Sequence, residues 1–114
     1  MQDCECVLCN LVNDLSTNRE NYTIVYESES VIAMYSTRPF AEVHIIIFSK
    51  RHIATIFDLS QEENELKLEL LSAVRIASEE IIRQKGACKV EMYLGAFQQA
   101  KHLHCHVIYD STID

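Results

Sequence analysis

The chain has 114 residues, 48% of them hydrophobic, a single proline and a formal net charge of −7. That length and apolar content describe one folded domain with its own core and argue against disorder. The negative charge, with no basic stripe, argues against binding long nucleic acid by phosphate neutralisation, and no apolar run approaches the roughly 20 residues of a membrane span.

The first six residues, Met-Gln-Asp-Cys-Glu-Cys, are acidic and lack the basic-then-apolar plan of a signal peptide, so a cytoplasmic or nuclear location is expected. Five cysteines (Cys4, Cys6, Cys9, Cys88, Cys105) is an odd number, and three of them crowd into six residues. In a reducing compartment that crowding points to metal more than to cystine. Val7 to Leu15 reads as a short helix and Ser16 to Asn21 as a polar loop. Thr23 to Tyr26 and Val31 to Tyr35 are strand-like, joined by the turn Glu27 to Ser30. Pro39 breaks the chain before Val43 to Phe48, a β-branched and aromatic run around His44 that suits a central strand.

Ser60 to Glu63 forms a capping box and opens a long helix, with Leu66, Leu70, Val74, Ala77 and Ile81 at helical spacing and Gly86 at its end. Val90 to Leu94 and Leu103 to Tyr109 complete the sheet. The expected architecture is a single α+β domain over residues 1–114. It has a five-stranded antiparallel sheet, one long helix and a short N-terminal helix.

Three of the five histidines, His102, His104 and His106, occupy alternate positions of the last strand. On an extended strand they share one face at spacings of roughly 6–7 Å, while Leu103, Cys105 and Val107 take the other. Such a face suits three roles: structure alone, a mononuclear three-histidine metal site, or a nucleophilic imidazole. The metal option calls for a carboxylate partner and a glycine-rich barrel, and this chain has two glycines. An imidazole becomes a nucleophile when a backbone carbonyl holds one nitrogen and the other faces an electrophilic phosphorus.

Cys6-Val7-Leu8-Cys9 is a C-x-x-C pair whose thiolates can meet one tetrahedral Zn²⁺. A structural site needs two further ligands, for which His52 and the nearest triad histidine are available. The competing reading is a redox pair or unliganded thiols, although no βαβ start of thioredoxin type is present. Cys4 is a substitute ligand or a spare thiol.

His102-Leu103-His104-Cys105-His106-Val107-Ile108 resembles the signature of the histidine-triad (HIT) family. The likeness continues upstream through Glu29 to Tyr35, Pro39, His44 to Ile47, Ser49 to Ile53, and Leu59-Ser60 with the long helix, so it covers nearly the whole chain. The resemblance implies an α+β domain that pairs into a homodimer. It implies hydrolysis or transfer of a nucleotidyl group through a histidine-bound intermediate, with a purine nucleotide or nucleotide conjugate as partner. By position, His104 is then the nucleophile at the α-phosphorus, and His106 and His44 hold phosphate oxygens. Gln98 and Gln99 flank the bridging oxygen and leaving group. Cys6, Cys9, His52 and His102 become the ligands of a structural zinc.

The chain departs from the family pattern at named places. Ser36 stands where an acidic residue usually grips the ribose hydroxyls, Tyr93 replaces an asparagine, Phe97 a glycine, and Gln99 a serine or threonine. These changes keep a second function open, that of a zinc-braced nucleotide-binding module with little catalysis. Lys50 and Arg51 read as solvated loop charges, and Cys88 and Cys105 as buried apolar residues. Tyr22, Tyr26 and Tyr35 read as core or edge residues, and the glutamates of the long helix as a solvated face.

Overall fold

The structure, a computed structural model, describes residues 6–112. Helix α1 (Val7–Leu15) is followed by strands β1 (Ile24–Glu27), β2 (Val31–Tyr35) and β3 (Val43–Ser49). Helix α2 (Asn64–Lys85), β4 (Lys89–Glu91) and β5 (His104–Tyr109) complete the chain. The five strands form one sheet in the order β1-β2-β3-β5-β4, with every neighbouring pair antiparallel.

Strand side chains alternate between the two faces, and each face has its own cover. Val31, Ala33, Ile45, Ile47, Leu103, Cys105 and Val107 pack beneath α2 against Leu66, Ala73, Ala77 and Ile81. Ile32, Met34 and Phe48 point the other way and pack with Leu8 and Leu15 of α1. The histidine face is this second one, so α1 and the loops beside it form the walls of any site there.

Three expectations move at their boundaries. The capping box is present, but Ser60 and Glu63 close a tight 3-10 turn over Gln61–Glu63, and the α-helix begins at Asn64. Strand β4 ends at Glu91 instead of continuing to Leu94, because the chain turns at Leu94 into another 3-10 turn, Gly95–Phe97, with Gly95 at φ 63°. His102 and Leu103 precede β5, yet Leu103 still ties the end of β3 to the loop after it: its N–H donates to Ile53 (2.6 Å) and its carbonyl accepts from Ser49 (3.2 Å). No helix among the described residues is long and apolar enough to cross a membrane.

Candidate active site and metal centre

Antiparallel pairing of β3 with β5 sets His44 opposite Ile108 and His106 opposite Ile46, so the two histidines are diagonal neighbours on one face. Nε2 of His44 and Nδ1 of His106 are 2.8 Å apart, and the backbone N–H of Phe40 donates to Nδ1 of His44 at 3.2 Å. A neutral imidazole that accepts at Nδ1 carries its proton on Nε2. His44 is therefore the donor to His106, and His106 in turn carries its proton on Nε2. The Nδ1–H of His104 donates to the carbonyl of His102 at 2.6 Å, which leaves a lone pair on Nε2 of His104. The rings of His104 and His106 stand 5.1 Å apart and nearly perpendicular. One imidazole thus offers a nucleophilic nitrogen and its neighbour an N–H donor.

Burial lowers the pKa of His44. It pushes His106 down to about 4, helped by the neighbouring His104 and His44. Glu91, which lies opposite His106 across the β4–β5 ladder, acts in the other direction on both rings. Both are neutral near pH 7. The hydroxyl of Tyr93 donates to Glu91, and chiefly through that bond its pKa is pushed up to about 12.

Two cavities, of about 620 and 530 Å³, meet at His104 and His106. The first is walled by Phe40, Tyr93, Phe97 and Ala100. The second runs between α1 and the end of β2, and exposes Asn10, Ser36, Thr37 and Arg38. Phe40 and Gln99 line both.

On the far side of His102 lies a cluster of four potential metal donors. The donor atoms of Cys6, Cys9, His52 and His102 all lie within 4.8 Å of one another. The four sulfur–nitrogen separations run from 3.1 to 3.5 Å. Zn–S and Zn–N bonds of ordinary length at tetrahedral angles put such pairs about 3.5 Å apart, so the donor set fits the ion. Nε2 of His102 donates to the carbonyl of Ser49 at 2.6 Å, so the lone pair is on Nδ1, the atom facing the sulfurs. His102 is fully buried, and burial lowers its pKa and keeps it neutral, the form a metal takes. Cys6 also caps α1, its sulfur accepting from the N–H of Cys9, where the helix dipole favours negative charge.

The family described as "scavenger mRNA decapping enzyme C-term binding" matches residues 5–113. With the histidine-triad neighbours below, that match decides the family. The chain belongs to the histidine-triad (HIT) family. A HIT family hydrolase from Clostridium thermocellum superposes with a TM-score of 0.77 at 25% identity, covering 99% of this chain and 96% of that one. A histidine-triad protein from Clostridium difficile matches with a TM-score of 0.72 at 24% identity, over 100% and 97% of the two chains. Among curated relatives, a bifunctional adenosine 5′-phosphosulfate phosphorylase/adenylylsulfatase of Arabidopsis thaliana is 24% identical over 89% of this chain and 67% of its own length. An uncharacterized HIT-like protein of Synechococcus elongatus is 30% identical over 75% of each chain.

In this HIT protein His44, His104 and His106 come together at the cleft, while His102 joins the cysteines. Gln98 is not brought there. It is buried, its amide nitrogen donates to the carbonyls of Ala54 (2.8 Å) and Ala100 (3.0 Å), and it lines neither cavity. Gln99, the next residue, is the one that faces the cleft. Ser36 does border the second cavity, with its hydroxyl accepting from the N–H of Arg38. Lys50 pairs with Glu27 and Arg51 with Glu63, none of them lining either cavity, and Cys105 is buried with its thiol pushed up to about 12. Tyr22, read as a core or edge residue, packs against the second apolar cluster and also borders the second cavity, and its hydroxyl donates to Asp14. Cys4 lies outside the described residues. Sequence reasoning missed Phe40 and Asn10. The only hint for Phe40 is an aromatic residue placed after the proline and four positions before His44, a weak signal.

Proposed function

We propose that this HIT protein is a nucleotide hydrolase or nucleotidyltransferase acting on the α-phosphorus of a purine nucleotide conjugate, an anhydride or a phosphoramidate. The observation that carries the reading is the Nδ1–H of His104 tied to the His102 carbonyl, with Nε2 of His104 left as a nucleophile beside the His106 N–H. Nε2 of His104 forms a bond to phosphorus while the bond to the leaving group breaks, its electron pair staying on the departing atom. The neutral His44–His106 pair takes up a proton as the phosphate anion arrives, since an opposite charge nearby favours the charged ring. Nε2 of His106 then passes that proton to the leaving group. Water attacks the nucleotidyl-histidine, its proton returns to the pair, and the electrons of the broken P–N bond return to His104.

Cys6, Cys9, His52 and His102 would hold a zinc ion, which supplies a closed structural brace. The His102 carbonyl that orients His104 belongs to one of those ligands, so bracing this residue also steadies the nucleophile. Gln98 acts in this reading by tying its loop to Ala54 and not by touching substrate. The family likeness and the open outer edge of β4, where Val90 is half exposed, support a homodimer. The thiol-rich metal cluster suits a reducing compartment such as the cytoplasm.

One observation favours a second reading. The Ser36 hydroxyl already accepts from the Arg38 N–H and presents a single oxygen, so it cannot chelate two ribose hydroxyls as the two oxygens of a carboxylate do, and a binding module with little turnover follows. A panel of adenosine and guanosine phosphoramidates and dinucleoside polyphosphates, run with the native chain and His104→Asn, separates the two. Turnover lost by at least about 10³-fold in the variant supports catalysis through His104. Micromolar nucleotide binding with no turnover of any compound selects the module.

A further inference from the structure

Two arms that meet at His104 and His106 call for a substrate with two unlike halves joined at phosphorus. Their linings differ sharply. The arm beside α1 is the more polar: it offers the hydroxyls of Ser36 and Thr37 and one cation, Arg38, while its one carboxylate among the described residues, Asp14, is bonded by the Tyr22 hydroxyl, a lining that suits a sugar and its phosphate. The other arm offers aromatic surface. Phe40 stands 5.1 Å from the ring of His106 and Tyr93 stands 5.2 Å from it. Phe97, 80% exposed, completes the wall of this arm.

Among the described residues no lysine or arginine lines this aromatic arm, and the Tyr93 hydroxyl donates to the carboxylate of Glu91. Among the described residues that line it, and apart from the two histidines, Gln99 is the one side chain with hydrogens left to donate to a ligand. A chain of phosphates or a sulfate entering here loses water and meets no positive side chain in exchange, a costly transfer. A planar apolar group instead finds ring faces to stack on.

We propose that this arm selects a leaving group that carries an uncharged aromatic ring, so that the substrate class is a nucleoside 5′-phosphoramidate of an arylalkyl amine. The proposal rests on the nucleotidyl-transfer reading above and adds the identity of the departing half. Nε2 of His104 bonds to phosphorus, the P–N bond to the amine breaks, and the proton on Nε2 of His106 goes to that nitrogen. The free amine then leaves along Phe40, Tyr93 and Phe97, and water completes the hydrolysis.

The test uses the native chain and three adenosine 5′ compounds: the phenethylamine phosphoramidate, the ethylamine phosphoramidate and adenosine 5′-phosphosulfate. The expected kcat/KM for the phenethyl compound is about tenfold above that for the ethyl one, the worth of one stacked ring, and phosphosulfate comes last. Phe97→Ala, a change at an exposed position, brings the phenethyl-to-ethyl ratio down toward one. Equal turnover of the two phosphoramidates, or a preference for phosphosulfate, overturns the aromatic arm while leaving the hydrolase reading intact. If none of the three is cleaved, calorimetry with the two phosphoramidates decides separately. Tighter phenethyl binding that Phe97→Ala abolishes keeps the arm and removes the hydrolase reading, whereas equal binding removes the arm as well.

Discussion

Nε2 of His44 donates to Nδ1 of His106 across 2.8 Å, and that single bond decides which nitrogen of His106 carries a proton into the cleft. Because the Phe40 N–H occupies the other nitrogen of His44, the whole chain of donors starts from a backbone amide and cannot reverse without breaking it. A rigidly assigned neutral pair of this kind resists protonation, which has a consequence for stability.

His106 is held down to about 4, against 6.5 for an unperturbed histidine, and His44 is lowered as well. Between those values the unfolded chain binds protons that the folded chain refuses, so stability rises with pH through that window. The contribution is fully present above 6.5 and is lost as pH falls toward 4. For His106 it amounts to about 3 kcal/mol. Urea denaturation at pH 7 and at pH 5 should show the loss, and His106→Gln should flatten the difference. A stability that is level across this range in the native chain would refute the argument.

Cys6→Ser should remove one of four donors and with it most of the bound zinc, measured by elemental analysis of protein purified without chelator. The cluster joins the start of α1 to the loop after β3 and to the residues entering β5. Its loss should therefore lower the melting temperature without unfolding the domain, since the larger apolar cluster beneath α2 contains none of the four donors and only Cys6 packs against the smaller one. Zinc-free native protein together with an unshifted melting temperature in the variant would defeat the assignment.

The neighbouring glutamines should behave differently. Gln98→Leu leaves the carbonyls of Ala54 and Ala100 without their buried donor, a cost of about 1–3 kcal/mol visible in denaturant midpoints, with activity falling through a loosened loop. Gln99→Ala, at an exposed position lining the cleft, should leave stability within about 0.5 kcal/mol and change KM or leaving-group preference instead. The reverse pattern would place Gln98 at the substrate after all.

Gly86 ends α2 at φ 87° with open space where a Cβ would sit. Gly86→Ala should thus cost about 1–2 kcal/mol from backbone strain alone, and Gly86→Asn less, as urea titrations would resolve. An alanine variant as stable as the native chain would show that this helix end relaxes.

Periodicity made much of this fold legible. α1 spans Val7–Leu15 and β2 spans Val31–Tyr35 as read from the chain, because the polar run from Ser16 stops the first, Ser30 and Ser36 flank the second, and each has one consistent period. The gathering of Cys6, Cys9, His52 and His102 was legible too, since a C-x-x-C pair with two histidines matches the donor count of one tetrahedral ion. What escaped depends on contacts between distant loops. Nothing local marks Gln98 as a partner of Ala54, 44 residues earlier, or sets Phe40 against two histidine rings. The length of β4 also escaped, because Met92 to Leu94 has strand composition while the turn at Gly95 pulls it off the ladder.

The alternation along β5 makes the loop before it intolerant of trimming. Cys105 and Val107 fill the space beneath α2 while His104 and His106 face the cleft, one residue apart in each case. Removing a single residue between Ala100 and Leu103 would not merely shorten a connection. If the strand slipped by one to recover its pairing, imidazoles would turn into the apolar core and a thiol would stand where the nucleophile does now. Chemistry and core here share one reading frame, so length variation in this loop should be tolerated only in steps of two.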